Sequence, residues 1–347
     1  MSATLRGNVS LVATLAAFSL GGAFAGAFGA SAQEFSFKFQ SSDPAGNPTY
    51  LVEQEWAKGL EAASGGRLKL EVLPVDSVVA YNETHDSVAV GILDGHMTSA
   101  EYMAGKDPAF GLIGNTVGAW SSPEELLGYM KDGGGSELMR ELLGEYGLYF
   151  IGGVSGGLEA FVSRVPVDKV EDLKGVKIRA PEGLVQEVFA AAGASPVNLP
   201  SSEVYTSLDK HVIDAADYST FAANQAGGLN KIAPNPIYPG FHSMPLIEVS
   251  MNQAKWDALP DDLKALLTTQ VEELAVTLNE TLKEKDAAAV AEATAEGVTI
   301  HDWSAEERKK FRAIARSKWQ DVATRSPNAQ RVYDSVTAYL TAQGLLE

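Results

Sequence analysis

The chain has no cysteine in its 347 residues. That excludes disulfides, thiolate metal sites, cysteine nucleophiles and a thiol for lipid anchoring. Positive charge is scarce as well: 27 Lys and Arg stand against 45 Asp and Glu, a net charge of −18. Such a balance argues against nucleic acid or an anionic membrane surface as partner, though not against an anionic ligand held at a local site. The five histidines show no zinc spacing; His85 and His96 are too far apart for one helix face, and no H-E-x-x-H occurs. No Walker or dinucleotide glycine motif is present. Gly133-Gly134-Gly135 follows no strand and lacks a Lys-Ser/Thr pair, so it reads as a loop. Repeats and low-complexity tracts are missing too.

Charge is also missing from Gly7 to Gln33, a run that follows Arg6 and ends in Ala30-Ser31-Ala32. This is the pattern of a Sec-type secretory signal peptide, cut after Ala32. The run is long enough to span a membrane. Its Gly and Ala content makes it only weakly apolar, and the small-x-small end favours cleavage. Removal of Arg6 takes the mature charge from −18 to −19. The mature length suits two domains.

Alternation and helical spacing set out the elements. Strands are predicted at Glu34–Gln40, Leu68–Leu73, His96–Ala100, Leu148–Gly152, Ala160–Ser163, Val176–Arg179, Asp214–Tyr218 and Leu246–Asn252. Helices are predicted at Pro48–Ser64, His85–Leu93, Glu182–Ala192, Asp261–Ala295, Ser304–Thr324 and Asn328–Gln343. Strand-helix-strand order implies parallel pairing in the first region. Ser304 followed by Glu307 reads as a capping box. Phe311, Ile314, Ala315 and Trp319 form an apolar stripe that needs cover.

Asp172-Leu173-Lys174-Gly175 makes a turn before the Val176–Arg179 strand, and Pro181 stops that strand. Arg179 therefore sits at the carboxyl end of a strand, beside a helix start, where open α/β sheets bind ligands. A guanidinium there is a fork for a carboxylate; a surface salt bridge is the plainer reading.

LKGVKIRAP and HVIDAADYS resemble two stretches of the solute-binding subunits of TRAP-type transporters, and LEVLPVDSVVAYNETHDSVAVGILD resembles a third in their first domain. SAEYMAGKDPAF and IYPGF resemble the branch that binds 2-oxo acids. The resemblance implies a two-domain α/β periplasmic binding protein, type II-like, with a long domain-spanning helix and C-terminal helices. Residues 1–32 would be the signal peptide. Residues 33–156 with 246–275 would form a discontinuous first domain and 157–245 the second. Residues 261–297 would be the connecting helix and 298–347 the C-terminal helices. It further implies a periplasmic receptor that binds a small organic acid, a 2-oxo or hydroxy acid among the candidates, and delivers it to the membrane permease without catalysis.

The candidate ligand residues are Arg179, Glu159, Asp217, Glu101, Tyr102, Tyr218, Phe221, Phe241 and His242, with Trp120 as a further aromatic wall. Glu159 resembles the position of a Gln ion ligand in the 2-oxo-acid branch, and Asp217 that of an acid that binds the same ion. The branch's third ion ligand would fall near Ser243, where this chain has no acid. Three readings stand for Glu159 and Asp217: ligands of a calcium or sodium ion bridging the carboxylate, partners of a cationic substrate group, or solvated surface acids. In the 2-oxo-acid branch a C-terminal helix packs on a partner subunit. The apolar stripe of the C-terminal helices is thus covered either by a homodimer partner or by the chain's own first domain.

Two rivals differ in class. Gly153-Val154-Ser155-Gly156-Gly157 matches G-x-S-x-G, so a secreted serine hydrolase using Ser155 is the alternative; the extended sequence after it argues instead for a glycine-rich hinge loop. The other rival is a structural or adhesive periplasmic protein with no small ligand.

Overall fold

The computed structural model describes residues 34–199 and 203–346; the predicted signal peptide lies outside them. Among the described residues nine strands are arranged in two sheets. These are β1 (Phe35–Ser41), β2 (Leu68–Leu73), β3 (Gly95–Ser99), β4 (Leu148–Ser155), β5 (Ala160–Ser163), β6 (Lys177–Arg179), β7 (Ser195–Val197), β8 (Ala215–Ser219) and β9 (Leu246–Asn252). The first sheet runs β2-β1-β3-β9-β4 and the second β5-β8-β6-β7. β1 is parallel to β2 and β3, as the strand-helix-strand order requires, whereas β9 returns antiparallel between β3 and β4. In the second sheet β6 is parallel to β7 and β8, and β5 closes the edge antiparallel.

Phe37, Phe39, Leu68, Leu70, Val72 and Met97 turn one face of the first sheet toward the helix Pro48–Ala63 and the start of the long helix Asp261–Ala295. That long helix has 35 residues, roughly 52 Å at 1.5 Å per residue. Its first half buries Leu263, Leu267, Val271 and Leu274 on the first sheet. Its second half buries Ala289 and Ala293 against Phe221 and Ala222, beside the second sheet. Asp286 adds a link there, accepting from the Ala222 N–H at 2.7 Å. One helix therefore belongs to both lobes.

The C-terminal helices Ala305–Ala323 and Pro327–Ala342 also touch both. Phe311, Ala315 and Trp319 are fully buried and share a core with Phe110 and Ile113 of the first lobe and Val185 and Phe189 of the second. The stripe is thus covered within the chain and supplies no argument for a dimer. Ser304 caps its helix by accepting from Glu307 N–H at 3.2 Å. The Glu307 carboxylate does not complete the box; it accepts from Val170 N–H at 2.9 Å and ties the helix to the second lobe.

Two local readings change. The helix predicted at His85–Leu93 spans only Thr84–Ala89, because Gly91 at φ 79° turns the chain toward β3. The predicted glycine hinge is largely strand: Gly153, Val154 and Ser155 pair with β9. A Cβ on Gly152 would come within 2.8 Å of Val271, and one on Gly153 within 2.6 Å of Leu246. Close packing on the long helix and on β9 therefore explains those glycines.

Candidate functional site

The carboxyl ends of β1, β3, β4, β6 and β8 face one another across the gap between the sheets, the place where α/β sheets bind ligands. A cleft of about 140 Å³ opens there. Asp43, Glu101, Tyr102, Glu159, Arg179, Asp217 and Tyr218 line it, with Pro245 and Ile247 at the start of β9. Asp43 follows β1, and Glu101 and Tyr102 follow β3, so these come from the first lobe. Glu159, Arg179, Asp217 and Tyr218 come from the second.

Arg179 is half-buried. Its Nη1 donates to the Asp217 carbonyl at 2.7 Å and its Nε to the Leu199 carbonyl at 3.2 Å. These bonds hold the guanidinium plane, and Nη2 has no protein partner among the described residues. The Asp217 carboxyl is 2% exposed and Glu159 is 9% exposed. Asp217 Oδ2 and Glu159 Oε2 are buried without a hydrogen-bond partner, a condition that calls for a missing cation, proton or water. Burial, and then the charge of Glu159, push the Asp217 carboxyl well above the usual carboxylate range.

The same two causes push both Asp43 and Glu101 up to about 7. Glu53 lies behind Asp43, wholly buried, with neither carboxylate oxygen partnered. Burial and then the charge of Asp43 push its carboxyl well above the usual carboxylate range. Burial and then Glu101 likewise raise the Tyr102 phenol. Among the described residues Arg179 is the only basic one lining this cleft, and Arg325 lines the adjoining pocket that shares Glu101, Tyr102 and Arg179. Four lining carboxylates face one guanidinium.

His242 is 1% exposed, with both ring nitrogens unpartnered, and its Nε2 lies 3.9 Å from Asp217 Oδ1. Burial and the Arg308 charge push its pKa down to about 3, so the ring is neutral at pH 7. It stands behind the cleft wall, edge-on to Phe161. Glu159 is held beside it because Glu159 N–H donates to the Ser243 carbonyl at 3.1 Å. The approach needs Gly240: a Cβ there would meet the Glu159 carbonyl at 1.7 Å.

Six of the predicted residues thus meet in the cleft: Arg179, Glu159, Asp217, Glu101, Tyr102 and Tyr218. Phe221 and Phe241 do not line it. Phe221 is fully buried against the long helix, and Phe241 stacks on Trp303 at 3.8 Å between centroids. Trp120 packs between Tyr129 and Tyr339, also away from the cleft. Sequence reading missed Asp43 and Glu53. Asp43 carried a usable signal, since it directly follows a strand's carboxyl end. Glu53 carried none, because an acid in an amphipathic helix reads as solvated.

A second buried cluster joins His85, His96 and Glu248, distant in sequence. His85 Nε2 lies 2.6 Å from Glu248 Oε1, and Ser250 Oγ donates to Glu248 Oε2 at 2.6 Å. His96 Nε2 is 3.6 Å from that oxygen. Burial raises the Glu248 carboxyl, but the two histidines outweigh it and hold the group well below the usual range. Ser155, for its part, is 2% exposed within β4, and its Oγ accepts from Gly157 N–H at 3.1 Å. The strand-to-helix turn that exposes a hydrolase serine is not formed there.

The model of the bacterial extracellular solute-binding proteins, family 7, matches residues 39–326. A TRAP periplasmic solute-binding protein of Rhodobacter sphaeroides, solved as an open form without ligand, is 56% identical. It covers 90% of this chain and 99% of its own, with a TM-score of 0.78. A TRAP periplasmic solute-binding protein of Pseudoalteromonas atlantica, solved with bound sodium and pyruvate, is 26% identical. It covers 88% of this chain and 94% of its own, with a TM-score of 0.79. A monocarboxylate 2-oxoacid-binding periplasmic protein of Nostoc is 25% identical over 305 residues, 87% of this chain and 83% of that one. The serine-hydrolase alternative finds no support in these relatives. With its two sheets, shared long helix and cleft at the strand ends, this chain belongs to the family 7 bacterial extracellular solute-binding proteins, the periplasmic receptors of TRAP transporters.

Proposed function

We propose that this chain is a periplasmic receptor that captures a small organic acid between its lobes and delivers it to a TRAP-type permease, without catalysing a reaction on it. One observation carries the reading: an arginine fixed by two backbone carbonyls stands beside two buried, unpartnered carboxylates in a narrow cleft. Arg179 takes the ligand carboxylate through its unused edge. Glu159 and Asp217 hold a positive charge next to it. Their oxygens suit a hard cation such as calcium or sodium, which neutralises both acids and bridges to the carboxylate. The two lobes, joined by the long helix and by the strand crossings, close over the ligand as a hinge. Residues 1–32 direct export to the periplasm and are removed there.

Calorimetry tests this with 2-oxo and hydroxy acids, before and after chelation, with calcium or sodium restored. Binding that falls on chelation and returns with one ion supports the ion. Affinity indifferent to chelation and to either ion removes it. Absence of binding to every carboxylate would overturn the receptor assignment. Amino-terminal sequencing of exported protein locates the cleavage.

A further inference from the structure

We infer that the ion beside Arg179 is a divalent metal of the zinc class, and that the His242 imidazole is its third protein ligand beside Glu159 and Asp217. This rests on the proposed reading, which gives the two acids to an ion, and goes beyond it by adding a nitrogen donor. Three side chains far apart in sequence converge here. All are at least nine-tenths buried: His242 is 1% exposed, Asp217 2% and Glu159 9%. One ligand atom from each lies within 4.8 Å of the other two. Glu159 Oε2, Asp217 Oδ2 and both His242 ring nitrogens have no hydrogen-bond partner.

Aromatic rings pack around the imidazole. Its centroid lies 5.5 Å from Phe161, 5.6 Å from Phe189 and 5.0 Å from Phe241. Its Nε2 lies 3.9 Å from Asp217 Oδ1, too far for a hydrogen bond. That is the spacing of two ligands on one ion, since bonds of about 2.1 Å leave neighbouring ligands roughly 3 to 4 Å apart. A proton shared between the two carboxyls would serve them alone and leave the buried imidazole unpartnered. Nitrogen also sorts the ions. Calcium takes roughly six to eight oxygens, whereas imidazole suits zinc and its neighbours. Three protein ligands of nitrogen and carboxylate oxygen, with a position left for the bound acid, make an open zinc site. Glu159 and Asp217 line the cleft and His242 stands behind its wall, so the acid reaches the ion from the cleft side.

The mature protein, stripped with chelator, is titrated by calorimetry with zinc, cobalt(II), calcium and sodium chlorides, with and without pyruvate. Zinc and cobalt are expected to bind one per chain, about 100-fold or more tightly than calcium. X-ray absorption of the zinc form should show a single imidazole on the metal. His242→Gln, which offers an amide oxygen instead, should lose that signal. It should weaken zinc by about 100-fold, the upper end of what even an outer-shell change costs, while calcium affinity holds or rises. Should that variant not fold, Asp217→Asn serves: the imidazole signal should vanish although His85, His96 and Glu248 are untouched. An imidazole signal that survives in either folded variant, zinc bound without imidazole, or calcium or sodium preferred over zinc would overturn the inference. The last two results leave an ion beside the acids standing. No binding of any ion, with or without pyruvate, would remove the ion reading as well.

Discussion

Two buried groups of carboxylate and imidazole differ in how their carboxylates are satisfied, while His96 in one and His242 in the other both leave their ring nitrogens without a hydrogen-bond partner. Glu248 sits in the sheet and accepts from His85 and Ser250 at 2.6 Å each. Asp217 and Glu159 sit in the cleft, and each leaves an oxygen with no donor. The first carboxyl is held down by its histidines, and Asp217 is pushed up by burial and by Glu159. Similar residue types have been placed at similar depth with opposite electrostatic results. On the proposed reading, the first group fastens the fold and the second is completed by the ligand and its ion. Removing a member of the first should then cost stability, and removing a member of the second should cost binding.

The largest effect is expected at Glu248. Glu248→Gln leaves His85 buried beside a neutral amide and should cost about 3 kcal/mol of unfolding free energy, measured by urea denaturation. A loss below about 1 kcal/mol would show that Glu248 is no better satisfied than the cleft carboxylates, and the contrast would collapse.

Next comes Arg179→Lys. An ammonium cannot reproduce the planar fork, nor hold both the Asp217 and Leu199 carbonyls. Affinity for the cognate acid should fall by about 2 kcal/mol, or roughly 30-fold. Unchanged affinity in calorimetry would place the carboxylate elsewhere.

Asp217→Asn should act in the opposite sense on the two properties. In ligand-free protein at pH 8 it removes an acid whose charged form is penalised by burial and by Glu159, and should raise stability by about 1 kcal/mol. It should also abolish any ion requirement of binding. A variant destabilised as much as Glu248→Gln would put Asp217 in the structural class.

The smallest effect is a pH dependence. Asp43 and Glu101, raised to about 7 from 3.8 and 4.5, bind more protons folded than unfolded. Stability is therefore lost as pH rises from about 4 toward about 7. His242, lowered to about 3 from 6.5, has the reverse sign, and stability is lost as pH falls through that window. The melting temperature of ligand-free Asp43→Asn/Glu101→Gln should exceed that of the parent by a few degrees at pH 8, and by less at pH 5. A gap that narrows as pH rises would contradict the signs worked out here.

Much of the fold was legible in the chain. Alternation predicted strands at Glu34–Gln40 and Leu68–Leu73; they form at Phe35–Ser41 and Leu68–Leu73, with their inner faces buried as expected. The uninterrupted pattern of Asp261–Ala295 gave the long helix with its bounds. Arg179 was singled out by strand-end position, and Glu159 and Asp217 by resemblance; the fold brings all three to one cleft. Phe221 and Phe241 were misplaced because an aromatic at a strand end has no local mark for cleft or core. Which it joins depends on the partners behind it, here the long helix and Trp303.

The sequence by itself determined the periodicities, the acidic balance and the absence of thiol chemistry, because these need only neighbours along the chain. Only the tertiary structure decided that Asp43, from the first lobe, would face Glu159 and Asp217 from the second. It alone decided that Gly240 would let the Glu159 backbone approach, and that His85 and His96 would share one carboxylate. Those juxtapositions depend on which strand ends meet across a gap, and burial sets the protonation of each carboxyl only once they have met.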